Sequence, residues 1–307
     1  MWNRLVLSQA VRSALTNGEP VVALESTILT HGLPRPINFN IGTACEEAVS
    51  RAGAVPATIF IRDGRIHVGV EPGELAELCE VTAAKKVSRR DFGGVLVGGG
   101  WGGTTVAGTL IAASLAGIPL LATGGLGGVH RGAESTMDIS ADLTELSRTP
   151  VSVVCAGVKK ILDIKRTLEV LETNGVGVYT IGEDAAFPDF YLRDSGFTSP
   201  GGAIDVSTAA EIIRVNRELN LKSGTMFANP VPVDCEGDGR MISLFIEQAI
   251  QEASDQLIFG AASTPFILSR LAELSDGKTV EINSRLVENN AYVGGLIATA
   301  LAQKQNR

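Results

Sequence analysis

Apolar runs of strand length alternate with stretches of helical period along nearly the whole chain. VVALEST (21–27) predicts a buried strand, and PINFNIGTACEEAVSRAGA (36–54) the helix after it. PATIFIRDGRIHVGV (56–70) predicts a hairpin, because β-branched runs flank Asp63-Gly64, a dipeptide that tolerates positive φ in a tight turn. A helix is expected around Gly73–Ala84, then a strand at FGGVLVGGG (92–100), a helix at 104–117 and a strand at 118–125. A glycine-rich loop follows, with a helix opening near Ser140. VSVVCAG (151–157) predicts a strand feeding directly into a helix, in which Ile161, Ile164, Leu168 and Leu171 recur at spacings of three and four up to a stop at Gly175. Strand VGVYTIGE, a turn-rich stretch over 187–203, a helix at 207–220, strand TMFANPVP and three helices complete the pattern. The first twenty residues predict a short amphipathic helix broken at Gly18 and Pro20, and polar 234–240 a loop. Repeated strand–loop–helix order predicts an α/β fold, with a mostly parallel or mixed central sheet covered by helices on both faces, in one domain over 1–307. Such sheets place their sites beyond the carboxyl ends of the strands.

Composition narrows the function classes. Hydrophobic residues make up 45% of the 307 and aromatics only 5%, which implies an aliphatic core. A formal charge of −8 argues against a nucleic-acid partner, which needs a basic footprint, yet leaves room for a small anionic substrate. The four cysteines form no C-x-x-C pair and read as reduced thiols. With no apolar leader and no apolar run of membrane length, a cytoplasmic protein without membrane contact is expected.

Several polar residues fall at the expected strand ends. Glu25 closes the first buried strand, where desolvation raises a carboxyl pKa and suits it to proton donation, though a capping or salt-bridged glutamate would sit there equally well. Lys159 falls in the expected first helical turn after VSVVCAG, where the helix dipole opposes its charge and favours a neutral amine; Lys160 beside it reads as a solvated charge, and on position alone Lys159 could equally be one. GGGWGG (98–103) fits G-x-G-x-x-G, but the next strand lacks the acidic residue that would grip a ribose hydroxyl. In GGLGGVHRGAESTMDISADL (124–143), glycine amides, His130 and Arg131 offer anion donors. Asp138 suits a hard, oxygen-loving ion that keeps most of its waters, or equally a helix cap.

Taken together, ALESTILTHG, PATIFIRDGRIHVGV, KVSRRD, GGTTVAGT, ATGGLGGVHRGAESTMDISADL, RTPVSVVCAGVKKILDI and LVENNA resemble, in order, the pseudouridine-5′-phosphate glycosidase family, also called indigoidine synthase A-like. The resemblance implies a manganese-dependent, trimeric α/β/α enzyme that splits pseudouridine 5′-phosphate reversibly into uracil and ribose 5-phosphate. It also implies Glu25 as proton donor and Lys159 as nucleophile, forming an imine with the opened ribose. Lys86, Val106, Ser140, Ala141 and Asp142 match substrate-binding positions, His130 and Asn283 resemble pocket residues, and Asp138 matches the metal aspartate, for Mn²⁺ or another divalent ion. GFTSPGGAIDVST and VENNAYVGG depart from the family's pattern. The competing readings are a sugar or nucleotide kinase, for which the D-T-x-G-like motif is missing, and a non-catalytic ligand-binding protein, which has no need of Lys159 and Glu25 together.

Overall fold

A computed structural model describes residues 4–258, 263–275 and 278–305, with side chains described for most of them. The strands are β1 (Leu5–Leu7), β2 (Val21–Leu24), β3 (Val55–Arg62), β4 (Arg65–Val68), β5 (Lys85–Val87), β6 (Gly102–Thr104), β7 (Leu120–Ala122), β8 (Val129–His130), β9 (Ser152–Cys155), β10 (Leu162–Asp163), β11 (Gly177–Ile181), β12 (Ala203–Ile204) and β13 (Thr225–Ala228). Helices fall between them: α1 (Gln9–Asn17), α2 (Ile37–Arg51), α3 (Glu74–Glu80), α4 (Phe92–Gly98), α5 (Val106–Ala116), α6 (Ala133–Thr136), α7 (Ala141–Leu146), α8 (Ile164–Thr173) and α9 (Val206–Glu218). Three more close the chain, α10 (Glu236–Asp255), α11 (Ser263–Leu274) and α12 (Lys278–Gln305).

The large sheet runs β1-β4-β3-β2-β7-β9-β13-β11-β12, with β6 also on β3 and β5 on β6. Only β3–β4 and β3–β6 are antiparallel in it, so the sheet is mixed but mostly parallel. Its middle strands β2, β7, β9 and β13 are short, parallel and fully buried, as their almost wholly apolar sequences require. On one face α12 lies against β2, β7 and β9, with α2 and α9 beside it. There Gly294 comes so near β2 and β7 that a Cβ would touch that of Ala122 at 3.1 Å. The other face carries α5, whose sequence is apolar almost all round and buried to match. This is a three-layer α/β/α fold. The predicted hairpin forms, with Asp63 and Gly64 at φ 52° and 70°. All four cysteines are free and buried, and burial pushes the Cys45 and Cys155 thiols up to about 12, which keeps them protonated.

Four local expectations fail. FGGVLVG is the helix α4 and not a strand. Ser88 and Asp91 form a capping box that starts a helical turn running straight into it, and Phe92, Val95 and Leu96 turn inward at spacings of three and four. The G-x-G-x-x-G match therefore follows a helix and enters a strand, the reverse of a dinucleotide-binding turn. The chain's beginning holds β1 as well as α1; Gly18 at φ 69° ends that helix as expected. Residues 236–240, expected in a loop, open α10.

The fourth failure concerns Lys159. Residues 158–161 are not helical: Val158 bridges Leu126, the Lys159 N–H donates to the Leu126 carbonyl at 3.1 Å, and β10 pairs with β8. Helix α8 starts only at Ile164, where the Asp163 carboxylate accepts the Arg166 N–H at 2.9 Å. The dipole argument for a neutral Lys159 therefore does not apply.

Candidate active site

Because β2, β7, β9 and β13 run parallel, their carboxyl ends line one edge of the sheet. Glu25 follows β2, Thr123 follows β7, Asn229 follows β13, and Lys159 lies four residues past β9. The Thr123 hydroxyl donates to Glu25 Oε1. Burial raises the Glu25 pKa above 4.5, while Lys159 foremost, then the Thr123 bond, pull it the other way. Asp142 and Lys86 are the other charges that face it. Lys86 is pushed down, first by desolvation and then by the like charge of Lys159. Glu25, Lys86, Asp142 and Lys159, drawn from four separate sequence segments, thus form one electrostatic cluster. Beside Glu25 a cleft runs inward along Leu24, Ile28, Ile41 and Val287.

The glycine-rich loop is fixed from behind. Asp142 is buried, and its two oxygens accept the Ala107 and Gly127 N–H groups at 2.9 and 3.1 Å. This carboxylate ties the first turn of α5, which begins at buried Val106, to the loop. Ser140 caps α7 by accepting the Asp142 N–H at 3.2 Å, and exposed Ala141 begins that helix. A Cβ on Gly127 would lie 2.2 Å from Ser140 Oγ, so only glycine lets the backbone pass.

Arg131, an expected anion donor, and others near the loop are already engaged. Arg131 forks onto Glu247 at 2.8 and 2.9 Å, the Val129 N–H bonds Thr167, and Arg89 forks onto Glu145. As an anion cradle the loop is thus poorer than its sequence suggested, whereas Lys86, after Lys159, brings positive charge to bear on Glu25. His130 lies on β8 with its Nδ1 3.8 Å from Asp138 Oδ2. Asp138 is not among the main charges acting on Glu25 or Lys86, and its side chain is one-third exposed. No group of three or more His, Cys, Asp or Glu able to hold a metal occurs among the described residues. One accessible carboxylate fits a hard ion that keeps its waters and does not fit a protein-caged metal. Asn283, on α12, has a buried Oδ1 without a partner, near Gly124.

Sequence reasoning missed three supports. Thr123 could have been found, since it directly follows a buried strand as Glu25 does. Asn290 and Asn229 could not: Asn290 donates to the Thr123 and Gly124 carbonyls at 2.9 and 3.2 Å and accepts from Asn229, uniting positions up to 167 residues apart. Lys160, expected in solvent, is largely buried and ion-paired with Asp189.

Known proteins share this frame along its length. A protein of Jannaschia sp. (strain CCS1), called pseudouridine-5′-phosphate glycosidase, is 50% identical over 97% of this chain and 98% of its own. One of the same name from Cupriavidus pinatubonensis is 49% identical over 97% and 95%. The crystal structure of the prealnumycin C-glycosynthase AlnA in complex with ribulose 5-phosphate superposes with a TM-score of 0.90 at 34% identity, covering 99% of both chains. The family described as indigoidine synthase A like protein matches residues 10–300. Since that match spans almost the whole chain, the chain belongs to the indigoidine synthase A-like family.

Proposed function

We propose that this protein is a pseudouridine-5′-phosphate glycosidase, an enzyme that cleaves the C–C bond between ribose and uracil. The observation that carries the reading is the pairing of Glu25, which burial inclines to hold its proton, with the facing amine of Lys159. The half-identical relatives of that name support it.

The chemistry follows from what C1′ carries: O4′, C2′ and uracil C5. Glu25 gives its proton to O4′ as the C1′–O4′ bond breaks, and Lys159 Nζ bonds to C1′. The Glu25 carboxylate takes the proton that the Lys159 nitrogen sheds on bonding C1′ and passes it to uracil C5; the C1′–C5 bond then breaks with its electron pair returned to the pyrimidine, and the nitrogen lone pair closes a protonated imine on C1′. Water then hydrolyses the imine, freeing ribose 5-phosphate and Lys159. Two carboxylates would not suffice, because a C–C bond offers no heteroatom to protonate directly.

Lys86, Val106, Ser140, Ala141, Asp142, His130 and Asn283 make up the substrate-binding set in this reading. Lys86 contributes positive charge and Asn283 an open buried acceptor. Asp138 would hold a divalent ion, Mn²⁺ by the family resemblance, which when bound offsets anionic charge. The one large sheet, with most of the core packed against it, supports reading the chain as one domain. No helix among the described residues is long and apolar enough to cross a membrane, in keeping with a cytoplasmic enzyme acting on a small nucleotide. Incubating purified protein with pseudouridine 5′-phosphate and Mn²⁺ should release uracil and ribose 5-phosphate in equal amounts; no release with or without divalent ions would overturn the assignment.

A further inference from the structure

Two amines stand side by side at Lys159 and Lys160, and only the first is among the main charges acting on Glu25. Lys160 is turned into the protein, its ammonium paired with Asp189 Oδ2, and its side chain is 18% exposed against 5% for Asp189. Asp189 stands in the turn-rich segment after β11, which is stitched to the Lys159 turn through the backbone. Gly157 and Asp189 form an antiparallel bridge, and the Phe190 N–H donates to the Ala156 carbonyl at 3.1 Å. The approach is close: Gly157 has φ 88°, and a Cβ there would lie 2.6 Å from the Pro188 carbonyl oxygen. Arg131 and Glu247, already forked together, are the other charges facing Asp189. Asp189 Oδ1 is buried and has no partner among the described residues, so the Lys160 contact is the main return on burying this carboxylate.

We propose that Asp189 is a positioning residue: by holding Lys160 charged and inward, it fixes the 157–160 turn so that Lys159 alone offers its amine to the substrate. The physical reason is that an ammonium held in a largely buried ion pair has no free electron pair, whereas a released neighbour competes for the same carbon. This inference rests on the reading of Lys159 as the imine-forming residue.

Borohydride trapping with ribose 5-phosphate, followed by peptide mapping, tests it alongside steady-state kinetics. Wild-type protein should be labelled at Lys159 alone. Asp189→Ala should carry label at both lysines, with kcat lowered on the order of 10- to 100-fold by the displaced turn and KM changed less. Lys160→Arg, which keeps a cation for Asp189, should retain wild-type kcat; Lys160→Met should lose kcat as Asp189→Ala does yet keep its label on Lys159. Labelled wild type together with Asp189→Ala and Lys160→Met variants of unchanged kcat and label would overturn the role of Asp189 alone. Should Asp189→Ala fail to fold, unchanged kcat in Lys160→Met suffices to overturn it. Unlabelled wild type under full turnover would instead sink Lys159 as the imine residue, and this inference with it.

Discussion

At Glu25, burial and nearby positive charge pull in opposite directions, and burial is the larger effect. The folded state therefore binds the proton more tightly than the unfolded chain. This residue's contribution to stability is complete below the ordinary value of 4.5 and is lost as pH rises through the raised folded value. Glu25→Gln removes the ionisation while keeping a similar shape. The gap in unfolding free energy between wild type and Glu25→Gln should accordingly move against wild type as pH climbs from 4.5, which denaturant titrations across pH 4–8 would detect; a parallel dependence in both proteins would count against the buried proton. At Lys159 the expectation is different. A partly exposed side chain on a turn adds little to stability, so Lys159→Ala should melt within a few degrees of wild type while losing turnover by on the order of 10³-fold or more. Uracil release measured on folded variant protein decides it.

Among the elements, those with one dominant local cause could be read from sequence. The buried strands declared themselves by unbroken apolar runs, the hairpin by Asp63-Gly64, and α7 by its Ser140 cap. Helix α4 was misread because seven residues rich in glycine and valine fit either period, and what decides it is the Ser88–Asp91 capping box upstream. The Lys159 turn was misread because its conformation is imposed by pairing with Leu126 and β8, some 30 residues earlier, which leaves no local mark. What sequence could point to at the sheet edge were single polar residues near strand ends, Glu25 and Lys159, which the structure brings together. It was hidden where residues act as scaffolding, as Asn229, Asn290 and Asp189 do. Gly127 tests the tightness of this scaffold. Gly127→Ala would drive a methyl group into Ser140 and Asp142, and should cost about 1–3 kcal/mol of stability, read as a lowered denaturation midpoint, and weaken substrate binding.

For the molecule as a whole, two proposals reach beyond one chain's own contacts. Removing divalent ions with a chelator should depress activity and adding Mn²⁺ should restore it. Asp138→Asn should raise the Mn²⁺ concentration needed for half-activation at least severalfold with little loss of stability, since an amide is a poorer ligand than a carboxylate for a hard ion. Full activity in chelator would remove the metal from the account. The resemblance also implies a homotrimer, and exposed Met137, Leu244 and Val233 offer apolar surface for such an assembly. Light scattering of the purified protein at micromolar concentration should give three times the 32.1 kDa chain mass.

The bridge from Asn290 to the Thr123 and Gly124 carbonyls sets a timetable for the protein's birth. Glu25, Lys86 and Lys159 all leave the ribosome early, and strands β2, β7 and β9 can pair while synthesis continues. The carboxyl edge of β7 still lacks its tether until α12, far downstream, is released and docks across the sheet. A nascent chain can thus carry every group of the Glu25 cluster and still have no finished site, so catalytic competence waits until α12 is made and docked.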